Sequence, residues 1–488
     1  MSKRILLIVV SALIVTLSHC DSSEIYLGDK TENKVGPGFR YLQFMDESTP
    51  RHIVAIEMDL TVEGNEIQSV LANDGLDEGF EYVDEMADRK NKEDNLVIGA
   101  INADYFGINE PENPYTFLTN SKVKNGSPVF TGFEDRTSFG IGGNRAPFIE
   151  MLKVEGNLIT EYGSDFELSG LNIEREPGSL VLYNEYFGSH VDSDNSVEWL
   201  LQPEEDFQVN TRQRFRVKQI SDDEQMEIKE GHKVLSAAGE LPDGLKKSLT
   251  EDSEIELELR IHPDTDDQDY FVEEGISQLT GAGPHLLHNG EHATDDFLEY
   301  EGFSERHSGQ RHPRSAVGFN KDTTKVYFVA IDGRYPGFSE GATLAETADI
   351  MKKLGAHNAV NLDGGGSTSL IVRDEMVNQH DEEGSKRQVA NALLAVTSRS
   401  FNELADQIEF TSSSEIEIDL DQPCEPEIEV RDEWGYKLDI PNNALNWEIK
   451  GMEGTIQENG DFTPANRAEG ALIADYNGLS DTLFVKVK

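Results

Sequence analysis

The chain has 488 residues, long for one domain, so two or three folded units are expected. Its 42 Lys+Arg against 93 Asp+Glu give a net charge of −51, with the acids spread along the whole length. Such a field repels nucleic acid and anionic membrane surfaces, which excludes polyanion binding outside a locally basic pocket, and a high-salt habitat favours a surface of this kind. Apolar residues make up 37% and are interleaved with the acids, which points to folded cores.

At the N-terminus, Lys3 and Arg4 precede the apolar run Ile5 to Leu17. The run is short for a membrane span and fits a signal-peptide core. It ends in Leu17-Ser18-His19-Cys20, similar to a bacterial lipoprotein signal whose cysteine is lipidated, although His19 stands where a small residue is usual. An ordinary secretory signal is the alternative, and both readings place the protein outside the cytoplasm. Residues 1–20 are thus expected to be a signal peptide, with Cys20 as a lipid anchor to the cell envelope. Cys424 is the only other cysteine, so no disulfide framework exists and it is expected to be an inert thiol.

Residues 21–50 read as a polar linker. "HIVAIEMDL" predicts a strand, "EYVDEMADRKNKED" an acidic helix, and "NLVIGAIN" a strand ending at Asn102. Four strand-like runs follow: "SLVLYNEYF", "RFRVKQI", "HKVLSAAG" and "EIELELRI". Asp264 to Asp269 ("DTDDQD") lacks the glycine and distal glutamate of a calcium loop and reads as an acidic turn. From 405 to 488, short alternating runs at close spacing predict a small β-sandwich of immunoglobulin-like type. The main domain is expected to span 51–400.

The densest information lies between Lys325 and Leu370. "KVYFVAI" predicts a strand ending at Asp332-Gly333-Arg334. Thr343-Leu-Ala-Glu346 forms a capping box, with Leu344, Ala348, Met351 and Leu354 on one helical face and Gly355 placed as the C-cap. "NAVNL" predicts a second strand ending at Asp363, followed by Gly364-Gly365-Gly366-Ser367-Thr368. Strand, helix, strand is a βαβ unit, and the expected class is therefore α+β with a mixed sheet carrying the site. Neighbouring parallel strands lie ~4.8 Å apart, so Asp332 and Asp363 are expected to share one site at the strand ends. The glycines remove side chains and offer backbone N–H groups to phosphate or another anion. The plain alternative is a tight turn.

These elements sit in a longer series: "AINADYFG", "LTGAGPHLLHNGE", "RHPRSAVGF", "VAIDGR", "AVNLDGGGSTSL" and "SKRQVANALLAV". In this order they resemble the phosphodiester glycosidase family, over roughly His52 to Thr397. Asp104 and His285 depart from the family's pattern near the sugar pocket. The resemblance implies cleavage between a sugar's anomeric carbon and a phosphodiester of the N-acetylglucosamine-1-phosphodiester kind. It implies Asp363 and Asp332 as catalytic carboxylates, with Arg314 as a bidentate phosphate ligand. Asn102, Asn391, Asn361, Gly333, Arg334 and Gly364 to Thr368 complete the expected substrate site. His307 and His312 flank the Pro-Arg element and read as solvated loop residues. No His/Cys spacing for zinc is present, and no cofactor is expected. The expected partners are a glycan or sugar-phosphodiester and, through Cys20, the membrane. Two rivals are a metal-dependent phosphoesterase with Asp332 and Asp363 as ligands, and a non-catalytic glycan-binding envelope protein.

Overall fold

A computed structural model of the chain describes residues 26–399 and 404–488, apart from 48, 78, 108–117, 133–135, 193–194, 223–224, 240–243, 264–273, 294–299, 412–413, 421, 436 and 439. Cys20, the signal segment and the acidic turn 264–269 lie outside the described residues.

Strand Arg51–Asp59 shows how the main unit is layered. Its run is almost continuously apolar because both faces are covered: Val54, Ile56 and Met58 enter one core, Ile53 and Ala55 another. It lies inside an eight-stranded sheet of order Asp29–Gly36, Phe39–Asp46, Arg51–Asp59, Lys325–Ile331, Arg314–Phe319, Asn358–Asn361, His285–His288, Glu291–His292. On one face packs the helix Leu344–Leu354, through Leu344, Ala348 and Met351. Its capping box forms as the sequence predicts: Glu346 N–H donates to Thr343 Oγ1 (3.1 Å) and Thr343 N–H to Glu346 Oε2 (2.9 Å), and Gly355 ends the helix at φ +108°. On the other face packs a five-stranded antiparallel sheet of order Glu375–Met376, Leu370–Val372, Leu96–Asn102, Asn391–Thr397, Asn65–Leu71. Ile98, Ile101, Leu370 and Leu393 of that sheet share a core with Val54 and Ile56.

Three expectations change. The stretch 21–50 is not only linker, since Asp29–Gly36 and Phe39–Asp46 are strands, the second anchored by buried Phe39, Leu42 and Phe44 among charged neighbours. The α+β expectation is met in a strand-dominated form, and the sheet expected to be mixed is antiparallel throughout. Among the described residues only Val83–Lys90 and Leu344–Leu354 are helices of eight residues or more. Finally, Lys325–Ile331 and Asn358–Asn361 run in the same sense but are not neighbours. Arg314–Phe319 lies between them, antiparallel to both. Their ends are therefore two strand spacings apart, about 10 Å.

Residues Lys122 to Gly281 form a twelve-stranded sheet around a core that includes Leu158, Leu257 and the fully buried Trp199. The C-terminal unit, from Ala405 onward, has one four-stranded and two two-stranded sheets and a core of its own, with Phe462, Leu472 and Leu483 at its centre. A cleft of about 900 Å³ separates it from the main unit, with Lys34 and Tyr41 on one side and Trp434 and Arg431 on the other. Among the described residues no helix is long and apolar enough to cross a membrane.

Candidate active site

The loop after strand Asn358–Asn361 is tied down on both sides. Asp363 N–H donates to Ala103 O (2.9 Å) and Gly365 N–H to Pro313 O (2.9 Å). Asn102, at the end of its strand in the five-stranded sheet, donates from Nδ2 to Asp363 O (2.5 Å). Its Oδ1 accepts from Ser315 Oγ (2.7 Å) and Ser369 N–H (3.1 Å). Asn391 clasps the next residue pair, accepting from Asp104 N–H at 2.8 Å. Both asparagines, expected in the substrate site, are buried and engaged with backbone groups and with the Ser315 and Thr280 hydroxyls.

The glycines divide by what approaches them. A Cβ on Gly364 lies 2.9 Å from Pro313 O, and a Cβ on Gly333 lies 2.7 Å from Pro313 N. The chain entering strand Arg314–Phe319 thus passes between the two Asp-Gly turns. Gly365 sits at φ +61°, where a side chain is strained, with Arg334 Nη2 3.0 Å from its Cβ position. A Cβ on Gly366 lies 2.7 Å from the guanidinium carbon of Arg387. Two arginines of the chain itself therefore lie against the bare backbone. Neither forms a salt bridge among the described residues, although acids outnumber bases by 93 to 42.

Asp363 stands beside this pair. Burial pushes its carboxyl up to about 6, while Ser367, Arg387 and the Gly364 N–H draw it back. The Ser367 hydroxyl faces the Asp363 carboxyl, whereas Thr368 Oγ1 and Asn361 Oδ1 are buried without a partner among the described residues. Asn361 Nδ2 donates to Tyr105 Oη at 2.8 Å. Burial, and then the Asp363 charge, raise the Tyr105 pKa.

Arg314 is 1% exposed and does not present the expected fork to solvent. Nε donates to Ala342 O (2.9 Å), and Nη2 to His307 O (2.6 Å) and Gln310 O (3.0 Å), so the guanidinium staples the short helix Glu305–Gly309 and the turn after it. Burial lowers its pKa to about 10. Asp332 departs furthest from expectation. It is fully buried, taking His52 Nδ1 at 2.6 Å and Gln379 N–H at 2.7 Å. With strand Arg314–Phe319 between them, Asp332 and Asp363 do not form a pair.

The structure adds residues around the site, and it packs His307, expected as a solvated loop residue, against Phe303. The Arg136 guanidinium lies 4.6 Å from the Phe303 ring centre and 5.5 Å from that of Tyr105. Phe303 stacks on His307, with centroids 5.1 Å apart at 26°. Burial, and then Arg314, His312 and Arg136, lower the His307 pKa to about 4. Buried His380 is affected by both Arg387 and Arg334. Arg387 and Tyr105 lie inside quoted sequence elements, whereas nothing in the sequence marks Arg136. Among the described residues no group of three or more His, Cys, Asp or Glu is arranged to hold a metal.

Comparison with curated proteins gave no match. Among crystal structures, a hypothetical protein from Synechocystis matches with a TM-score of 0.59 at 20% identity, over 76% of this chain and 64% of that one. A proposed exported protein of Burkholderia pseudomallei matches with a TM-score of 0.53 at 21% identity, over 71% and 74%. These two share the fold. The catalytic domain of zebrafish N-acetylglucosamine-1-phosphodiester α-N-acetylglucosaminidase, auto-inhibited by its pro-peptide, aligns at a TM-score of 0.38 and 14% identity, over 75% and 87%. The model of the phosphodiester glycosidase family matches residues 205–396, the stretch that holds Phe303, His307, Arg314, Arg334, the glycine loop and Arg387. Over that segment the chain is similar to the phosphodiester glycosidase family.

Proposed function

We propose that the protein is an exported glycosidase that hydrolyses a sugar-1-phosphodiester of the N-acetylglucosamine-1-phosphodiester kind, releasing the sugar and leaving a phosphomonoester. One observation carries this reading. In a chain of net charge −51 four arginines lie along the neighbourhood of Asp363: Arg387 acts on its carboxyl, Arg136 and Arg314 on the adjoining Tyr105, and Arg334 on Arg314. An acid-rich protein that collects cations at one point is built there for an anion. Arg334 and Arg387 over Gly365 and Gly366 suit the phosphodiester. The partnerless buried oxygens of Asn361 and Thr368 suit a polar ligand, because each costs about 1–3 kcal/mol when unpaired. Asp363 faces the anomeric carbon and stabilises its developing positive charge. Asp332 acts at a distance, as a buried anchor for the turn that carries Arg334.

The test is hydrolysis of a synthetic sugar-1-phosphodiester in ¹⁸O-labelled water. Label in the sugar supports the glycosidase, whereas label in the phosphate favours the phosphoesterase. Saturable binding with no turnover favours the glycan-binding protein. Envelope attachment through Cys20 belongs to the same proposal. Cys20→Ala should release the protein from the membrane fraction, and a wild type already fully soluble would refute the anchor.

A further inference from the structure

His307 is held as few loop histidines are. Its ring lies against Phe303, whose ring in turn lies under the Arg136 guanidinium. Its carbonyl is fixed by Arg314 Nη2, and its N–H by the Ser304 N-cap at 3.2 Å. Nε2 is 3.4 Å from Tyr105 Oη. The Tyr105 hydroxyl proton is engaged at Gly283 O (2.8 Å), and the same oxygen accepts from Asn361 Nδ2 (2.8 Å). With that proton so engaged, a hydrogen bond between Nε2 and Tyr105 requires the ring proton on Nε2. Tyr105 Oη also lies 3.3 Å from Leu362 O, one residue before Asp363. A fixed N–H thus stands one side chain away from the carboxylate strand.

We propose that His307 is the catalytic acid of the reaction, giving its Nε2 proton to the phosphate oxygen that leaves the anomeric carbon. This rests on the glycosidase reading above. In the step, the bond between C1 and the phosphate oxygen breaks and its electron pair stays with that oxygen, which takes the His307 proton. Water supplies the hydroxyl that bonds to C1, and its proton goes to the Asp363 carboxylate. The products are the free sugar and a phosphomonoester monoanion, and His307 recovers a proton from solvent.

The groups facing the ring explain how it is charged. Arg314, His312 and Arg136 oppose protonation, Tyr105 Oη accepts from it, and Phe303 covers one face. The phosphodiester held at Arg334 and Arg387 brings negative charge toward this ring and favours the imidazolium. The substrate itself then loads the acid.

Two measurements test this. His307→Gln keeps an N–H donor but cannot transfer a proton. On a sugar-1-phosphodiester with an alkyl aglycone it should lower kcat/KM on the order of 10²–10⁴-fold. With a nitrophenyl aglycone, whose phosphate is the better leaving group, the loss should shrink at least tenfold. An equal loss on both substrates, or none, overturns the proposal and leaves the glycosidase reading standing. Failure of the wild type to turn over either substrate defeats the glycosidase reading instead. Second, sulfate binding to the wild type, measured by calorimetry in two buffers of different ionisation enthalpy, should take up a proton. His307→Gln should take up none. Equal uptake by both proteins, or none by the wild type, also overturns the proposal.

Discussion

At the scale of single residues, the role proposed for Asp363 carries a cost in stability. Its carboxyl titrates at about 6 in the fold against an ordinary 3.8, so the folded state holds the proton more tightly than the unfolded chain. Stability from this group is present at acid pH and lost as pH rises from about 4 through 6. Asp363→Asn, which carries no charge, should melt a few degrees higher than wild type at pH 7.5 and no higher at pH 4. The same variant should lose turnover by on the order of a hundredfold or more, and wild-type kcat/KM should run level between pH about 4 and 6 and fall above it, because Asp363 must be ionised while His307 carries the proton it gives. Melts at both pH values and one pH–rate profile check all three. The two arginine classes should separate in the same assays. Arg387→Ala, at an exposed side chain, should weaken phosphodiester binding roughly ten- to hundredfold with an unchanged melt. Arg314→Lys strands buried carbonyls and should cost stability of about 1–3 kcal/mol.

At the scale of elements, the glycine loop was legible in kind but not in neighbours. The run after Asn361 announces close approach, and close approach is found. The sequence places a ligand there, whereas the fold places Pro313, Arg334 and Arg387 there, because strand Arg314–Phe319 enters between the ends of two strands that follow one another in the chain. Strand neighbours of that kind are decided by sheet packing, which local periodicity does not encode. The helix Leu344–Leu354 was fully legible, since caps and an apolar stripe are local signals. Arg136, far away in sequence, was not. The contacts predict an ordered series of alanine substitutions. At Gly333 and Gly364 the methyl group meets Pro313 backbone, so yield and melting temperature should fall. At Gly366 it meets only the flexible end of Arg387, so the protein should fold normally and bind phosphodiester more weakly. Equal melts for all three variants would show that Pro313 is not confined.

At the scale of the molecule, the acidic surface and the cationic site act on a substrate at different ranges. Beyond about 8 Å at physiological ionic strength the arginines are screened, and below that ionic strength the field of the whole chain repels an anionic substrate. Salt should therefore raise kcat/KM severalfold between about 10 mM and 0.3 M, the reverse of usual steering, and leave an uncharged glycoside unaffected. A chain ending at Arg399 should fold and keep turnover, because the C-terminal unit buries its own core and the matched family segment ends at residue 396. The separation of cores has a spectroscopic consequence, for the three tryptophans fall one to a place. Trp199 is fully buried in the large central sheet, with its indole N–H on Leu249 O. Trp434 lines the cleft beside Lys34, and Trp447 packs against the terminal core. Shortening the chain to Arg399 leaves a single blue-emitting fluorophore shielded from acrylamide. In the whole protein, emission should redden in two steps as denaturant rises, so that one cuvette follows the unfolding of each unit separately.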